Sequence, residues 1–108
     1  MEYELNGVNL VIHLPAELDH HSIRTLPQDV ELLLGEYKIS RVVFDFSMVT
    51  FMDSSGIGAI LGRYKSMRER GGDISLYGMN RRIAKLLTMA GIGKLAVLYE
   101  DKGEALKR

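Results

Sequence analysis

The residues best equipped for chemistry in this chain lie in one run, Phe51-Met52-Asp53-Ser54-Ser55-Gly56. It supplies a carboxylate, two hydroxyls and a glycine. Upstream, Val42-Val43-Phe44-Asp45-Phe46 reads as a buried strand. Downstream, Ile57, Ile60, Leu61, Tyr64 and Met67 recur at spacings of three and four, which places them on one helix face. Asp53, Ser54 and Ser55 therefore stand where a strand hands over to a helix. Side-chain oxygens at such a junction accept from the orphan N–H groups of the first turn. The junction also favours anions. Capping alone accounts for Asp-Ser-Ser here, with Ser54 the expected cap of the helix.

Two catalytic or ligand-binding chemistries can be weighed against capping. Gly56-Ile57-Gly58 with Gly62 has the look of a dinucleotide loop. A true fingerprint wants an acidic residue at the end of the next strand. That strand ends in Tyr77-Gly78-Met79, and Asp73 lies at its beginning. Hydrolysis with Ser54 or Ser55 as nucleophile would need a histidine nearby. His13, His20 and His21 all lie early in the chain, and no Gly-x-Ser-x-Gly elbow is present. The adjacent His20 and His21 do not make a metal site, because neighbours rarely aim at one ion and no third spaced ligand accompanies them. Neither a metal nor a bound cofactor is expected.

The positioning elements can be read in order. Tyr3 to Leu5 and Asn9 to Leu14 read as strands joined by a turn at Asn6-Gly7. In the second, Leu10, Ile12 and Leu14 alternate with Asn9, Val11 and His13, the pattern of a half-buried strand with His13 partly exposed. Pro15 ends it, and Ala16-Glu17-Leu18-Asp19-His20-His21 is a polar loop. A helix follows from Thr25, with Leu26, Val30, Leu33, Leu34 and Tyr37 as its stripe and a Thr25–Gln28 capping box. Gly35 should weaken its end. Arg41 to Phe46 is the central strand; its Asp45 needs hydrogen bonds, expected from the loop before Ser54. In the next helix Gly58 and Gly62 share a face, as if for close approach to a sheet. Gly71-Gly72 ends that helix. Asp73 to Tyr77 is a strand with Ile74 and Leu76 on one face, Ser75 and Tyr77 on the other. Asn80 caps a third helix carrying Ile83, Leu86, Leu87 and Ala90. Leu95 to Tyr99 is a short strand and Asp101 to Arg108 a short terminal helix. The alternation implies one α/β domain over residues 1–108, with a mixed sheet of about five strands backed by about four helices.

Composition excludes several partners. The chain has 108 residues, and 46% are hydrophobic, enough for one core. Lys plus Arg and Asp plus Glu number 14 each, so no basic excess points to nucleic acid or an anionic membrane. There is no cysteine, which excludes disulfides and fits a reducing cytosol. The acidic Met1-Glu2-Tyr3-Glu4 is unlike a signal peptide. No apolar run approaches the roughly 20 residues of a membrane span.

Phe51-Met52-Asp53-Ser54-Ser55-Gly56-Ile57-Gly58, followed by Leu61-Gly62-Arg63-Tyr64-Lys65, closely resembles the signature of the bacterial anti-sigma factor antagonists, which are STAS-domain proteins. Leu18-Asp19-His20-His21 is similar to a second signature of the sporulation members. The family usually has glycine where Ala16 stands. The resemblance implies the STAS topology, phosphorylation of Ser54, and a partner surface formed by Asp19, His20, His21, Met52, Asp53, Ser54, Ser55 and Gly56. It implies a non-enzymatic protein, monomeric when free, whose unmodified form binds an anti-sigma factor that is also a serine kinase and so frees the sporulation sigma factor. The kinase uses ATP, and a serine phosphatase resets the switch. The family's C-terminal helix is often longer, which implies weaker docking here. A stress-response or stressosome-like STAS module and a small nucleotide-binding protein are the alternatives.

Overall fold

The alternating pattern after Met1 builds an antiparallel hairpin, β1 (Glu2–Asn6) and β2 (Asn9–His13). The structure, a computed structural model, describes residues 1–107; Arg108, placed by the sequence in the terminal helix, lies outside the described residues. The hairpin loop is Gly7-Val8, one residue later than expected: Asn6 pairs with Asn9, and only Gly7 takes a positive φ, 62°. One left-handed residue suffices for this turn, so Asn6 stays in its strand.

There follow β3 (Glu17–Leu18), α1 (Leu26–Glu36), β4 (Arg41–Asp45), β5 (Phe51–Met52) and α2 (Ser54–Glu69). Then come β6 (Asp73–Tyr77), α3 (Arg81–Met89), a 3-10 turn at Ile92–Lys94, β7 (Val97–Tyr99) and α4 (Lys102–Leu106). The main sheet has five strands in the order β1-β2-β4-β6-β7. β1 is antiparallel to β2 and the other pairs are parallel. This is the mixed α/β sheet, with four helices, that the alternation implies.

α1, α2 and α3 pack Leu26, Val30, Ile60, Met67, Ile83 and Leu87 into one core with Leu10, Ile12, Val42, Phe44 and Leu76 of the sheet. α4 covers the other face, where Ala105 meets Val11, Val43 and Tyr77. β2 is consequently covered on both faces, not half-buried, with Asn9 and Val11 as enclosed as Leu10 and Ile12. α4 docks firmly despite its five residues. Its carbonyls are taken by the sheet: Ser75 Oγ donates to Ala105 O at 2.9 Å, and Arg41 Nη1 donates to the carbonyls of Ala105 (3.2 Å) and Lys107 (2.5 Å). Asp73 holds the Arg41 guanidinium at 2.8 and 3.0 Å.

Three local expectations are corrected. Thr25 has helical dihedrals and makes no capping bond, because the chain already turns through Ile23 to Thr25; a capping box needs an extended first residue. Tyr37 is extended and exposed beyond the end of α1 and is not part of its stripe. β7 starts at Val97 and not Leu95, since the 3-10 turn closes on Leu95 through its bond to Ile92 O.

Candidate functional site

Pro15 breaks β2, but the chain then finds a second partner that the sequence did not announce. β3 pairs in parallel with β5, Leu18 opposite Met52. Two residues per strand are too few to leave a periodic signal. Leu18 is fully buried, and Thr50 and Phe51 donate their N–H groups to Ala16 O. Asp53 N–H reaches Leu18 O at 3.4 Å. The loop carrying Asp19, His20 and His21 is thereby fixed beside the start of α2.

Close contact at Gly56 completes the junction. A Cβ built there would lie 2.6 Å from Leu18 O and 2.8 Å from Met52 Cγ. The glycine is required by proximity of the two loops. Gly58 and Gly62, expected to make the close approach, have nothing within 4 Å of a built Cβ; they lie on the side of α2 away from the sheet.

Asp53 is the cap of α2, correcting the expectation for Ser54. Its backbone is extended, and Oδ1 accepts from the N–H groups of Ser55 (2.9 Å) and Gly56 (3.2 Å). Only a residue just before the first turn has its oxygen over those donors. Ser54 is the first helical residue, one position too far along. Its side chain is exposed, and among the described residues its hydroxyl makes no hydrogen bond. Ser55 beside it is half-buried. No histidine nitrogen among the described residues bonds either hydroxyl, so the Ser–His pairing of a hydrolytic nucleophile is not formed.

The other loop is polar and self-braced. Asp19 Oδ1 accepts from Ser22 N–H at 2.9 Å, while Ser22 Oγ accepts from Asp19 N–H at 3.1 Å. The Ser22 backbone bond, then its hydroxyl, hold the Asp19 carboxyl below its ordinary range. Arg24 donates to His21 O (2.8 Å) and His21 Nε2 (3.1 Å), and His20 is exposed.

The Leu18–Met52 pairing thus sets the loop of Asp19, His20 and His21 beside Asp53 at the start of α2, a rim on which His20, His21 and Ser54 are exposed and Asp19, Asp53 and Ser55 half-buried. Met52 and Gly56 do not share it. Met52 is 6% exposed and lies in the main core, and Gly56 is buried under Leu18. They hold the two loops together. Phe51 was missed, yet it is 48% exposed on β5 beside this rim. The sequence carried no signal for this; only once β5 is paired with Met52 facing in does Phe51 face out. Asp45 finds its bonds in the segment that leads from β4 to Ser54, as expected, accepting from Ser47 N–H (2.8 Å) and Ser47 Oγ (2.5 Å) at the start of that segment. No helix among the described residues is long and apolar enough to cross a membrane.

The family model described as the STAS domain matches residues 1–105. This chain belongs to the STAS domain family. Among its relatives, the anti-sigma F factor antagonist of Paenibacillus polymyxa is 33% identical over 106 residues, spanning 98% of this STAS domain and 91% of the relative. The solved structure of the anti-sigma factor antagonist SpoIIAA in its unphosphorylated form superposes with a TM-score of 0.84 at 25% identity, covering 97% of this chain and 91% of that one. The phosphorylated form of SpoIIAA, a Bacillus cell fate determinant, gives 0.77 at 25% identity, covering 97% and 95%. The fold expected from the two signatures is therefore the fold found.

Proposed function

We propose that this STAS domain is an anti-sigma factor antagonist switched by phosphorylation of Ser54. Unmodified, it binds an anti-sigma factor that is also a serine kinase, and so releases the sporulation sigma factor. The kinase transfers phosphate from ATP to Ser54 Oγ, the complex separates, and a serine phosphatase restores the binding form. The protein acts in the cytoplasm as a binder and a substrate, not as an enzyme.

The observation that carries this reading is the state of Ser54: an exposed hydroxyl with no hydrogen bond among the described residues, on the first turn of α2, beside the Asp19 to His21 loop. A kinase can reach it without unfolding anything. The kinship with relatives named for anti-sigma antagonism, and with a protein solved in both phosphorylation states, supports the same reading. A phosphate would add about −1.5 to −2 charge at neutral pH. Placed at the centre of the rim, it would repel an acidic or tightly packed partner surface while leaving the core untouched.

The test is incubation with the cognate anti-sigma kinase and ATP, fragment mass spectrometry, and a sigma-release assay on both forms. Phosphate on Ser54 with loss of release is expected. Phosphate mainly on Ser55, or a phosphorylated form that still releases the sigma factor, would overturn the proposal.

A further inference from the structure

On the face of the sheet covered by α4, a line of alternating charge runs from the centre of the sheet to its edge. Asp45 closes β4, His13 closes β2, Glu4 lies on β1 and Lys102 opens α4. His13 Nδ1 is 2.6 Å from Asp45 Oδ2, and His13 Nε2 is 2.9 Å from Glu4 Oε1. Lys102 Nζ donates to both oxygens of Glu4 at 2.9 Å.

An ionised carboxylate only accepts, and a neutral imidazole has one N–H to donate. Both His13 contacts can be hydrogen bonds together only if a second proton is present beside the one that a neutral ring carries. Neither carboxylate is disposed to carry it. The Lys102 and His13 bonds hold the Glu4 carboxyl low; burial pushes Asp45 up, but its bonds from Ser47, His13 and Tyr77 outweigh that and hold it low. The proton therefore sits on His13.

We propose that His13 is the pin of a proton-controlled strap: as imidazolium it fastens β1 and the first turn of α4 across the sheet, and as neutral imidazole it releases them. Losing the proton leaves a bare ring nitrogen facing a carboxylate at hydrogen-bond distance, so one partner must swing away. Asp45 is fixed by the backbone N–H and the hydroxyl of Ser47. Glu4 sits on the edge strand and is the partner free to leave, and it takes with it the anchor of Lys102. Ser75 and Arg41 still hold the far end of α4, so the helix lifts at Lys102 rather than detaching. Glu2, the register partner of His13 on β1, and Met1 line the same cleft; the Glu2 carboxylate favours the cation, while the Met1 ammonium and Lys102 oppose it.

The direction with pH follows. Burial opposes the charge on His13, yet the bonds and charges of Asp45 and Glu4 prevail and raise its pKa. The strap is therefore fully fastened below the ordinary imidazole value of about 6.5 and is lost as pH rises through the raised value.

Nuclear magnetic resonance on the whole chain tests this. The His13 ring should show two protonated nitrogens at pH 6 and titrate above an unstructured histidine peptide. Over that same titration, solvent exchange of the Glu104 and Ala105 amides, corrected for base catalysis, should accelerate about tenfold for each pH unit by which His13 is raised. His13→Arg supplies a cation that does not titrate and should abolish the acceleration. Lys102→Met cuts the strap without touching His13 and should give fast exchange at every pH. A single protonated His13 nitrogen at pH 6, or the same pH-dependent acceleration in Lys102→Met, would overturn the proposal.

Discussion

Gly56→Ala and Gly58→Ala place the same methyl group two residues apart in α2, and the structure assigns them opposite signs. At Gly56 the new Cβ lies 2.6 Å from Leu18 O and 2.8 Å from Met52 Cγ. The first of these is backbone and belongs to β3, so relief requires the two loops to part. Overpacking of this kind costs about 1–3 kcal/mol. Alanine's better helix propensity offsets at most about 1 kcal/mol. The net expectation is a loss of about 1–2 kcal/mol, or roughly 5–10 °C in Tm for a domain near this size. At Gly58 nothing lies within 4 Å, so the propensity gain stands alone and Tm should rise by a few degrees. Paired thermal melts by circular dichroism decide it. Gly56→Ala should also weaken partner binding beyond its stability loss, because Asp19 moves with β3. A Gly56→Ala protein as stable as the unmodified chain, or two variants shifting alike, would refute the claim that close contact at Gly56 joins the loops.

Ser54→Ala should leave stability within about 0.5 kcal/mol, since Asp53 holds the cap; it should bind the anti-sigma factor and resist phosphorylation. Ser54→Asp should fold normally and bind poorly in the same sigma-release assay, with an incomplete block because it carries about one charge. Asp53→Ala should lose about 1 kcal/mol in urea unfolding, and Asp53→Asn should recover most of it, because the amide oxygen still accepts from Ser55 and Gly56. Asp19→Asn keeps the acceptor for Ser22 and should stay within about 0.5 kcal/mol of the unmodified stability, while calorimetry shows weaker binding to the anti-sigma factor.

What the sequence revealed, and what it hid, divides along the range of the interactions. Long periodic patterns were legible: the stripe of α2, the apolar run of β4 and the Asn80 cap, which accepts from Ile83 N–H at 2.8 Å, all appear where the pattern puts them. Ser54 and Asp19 were legible only as members of two separated motifs. Their adjacency depends on the Leu18–Met52 pairing, a contact across more than 30 residues made by strands of two residues each. No local propensity encodes such a pairing. The same limit explains Gly58 and Gly62: spacing shows that two glycines share a face, but not what that face meets. It also explains β2, whose outer residues looked solvent-facing until α4 covered them. Confusing the cap with its neighbour was a one-residue error with chemical weight, because it decides which hydroxyl is left free.

That freedom bears on how a phosphate could act. The N–H groups of Ser55 and Gly56 are already satisfied by Asp53. A phosphate on Ser54 Oγ would therefore find few unclaimed donors in its own chain, while the Asp53 carboxylate beside it would repel it. The helix dipole softens this repulsion by about 0.3–1 kcal/mol and does not reverse it. The modified group is thus directed outward, away from the Leu18–Gly56 contact that holds the loops. Its charge then falls on whatever faces the rim. Between unit charges about 4 Å apart near a protein surface the interaction is about 4 kcal/mol, and each 1.4 kcal/mol is a factor of about ten in affinity. A partner with one acidic group opposite Ser54 would be released by orders of magnitude with no change of fold. The sign of the proposed switch would then be written in the charge of the partner, and the STAS domain's part would be to present one hydroxyl that makes no hydrogen bond among the described residues.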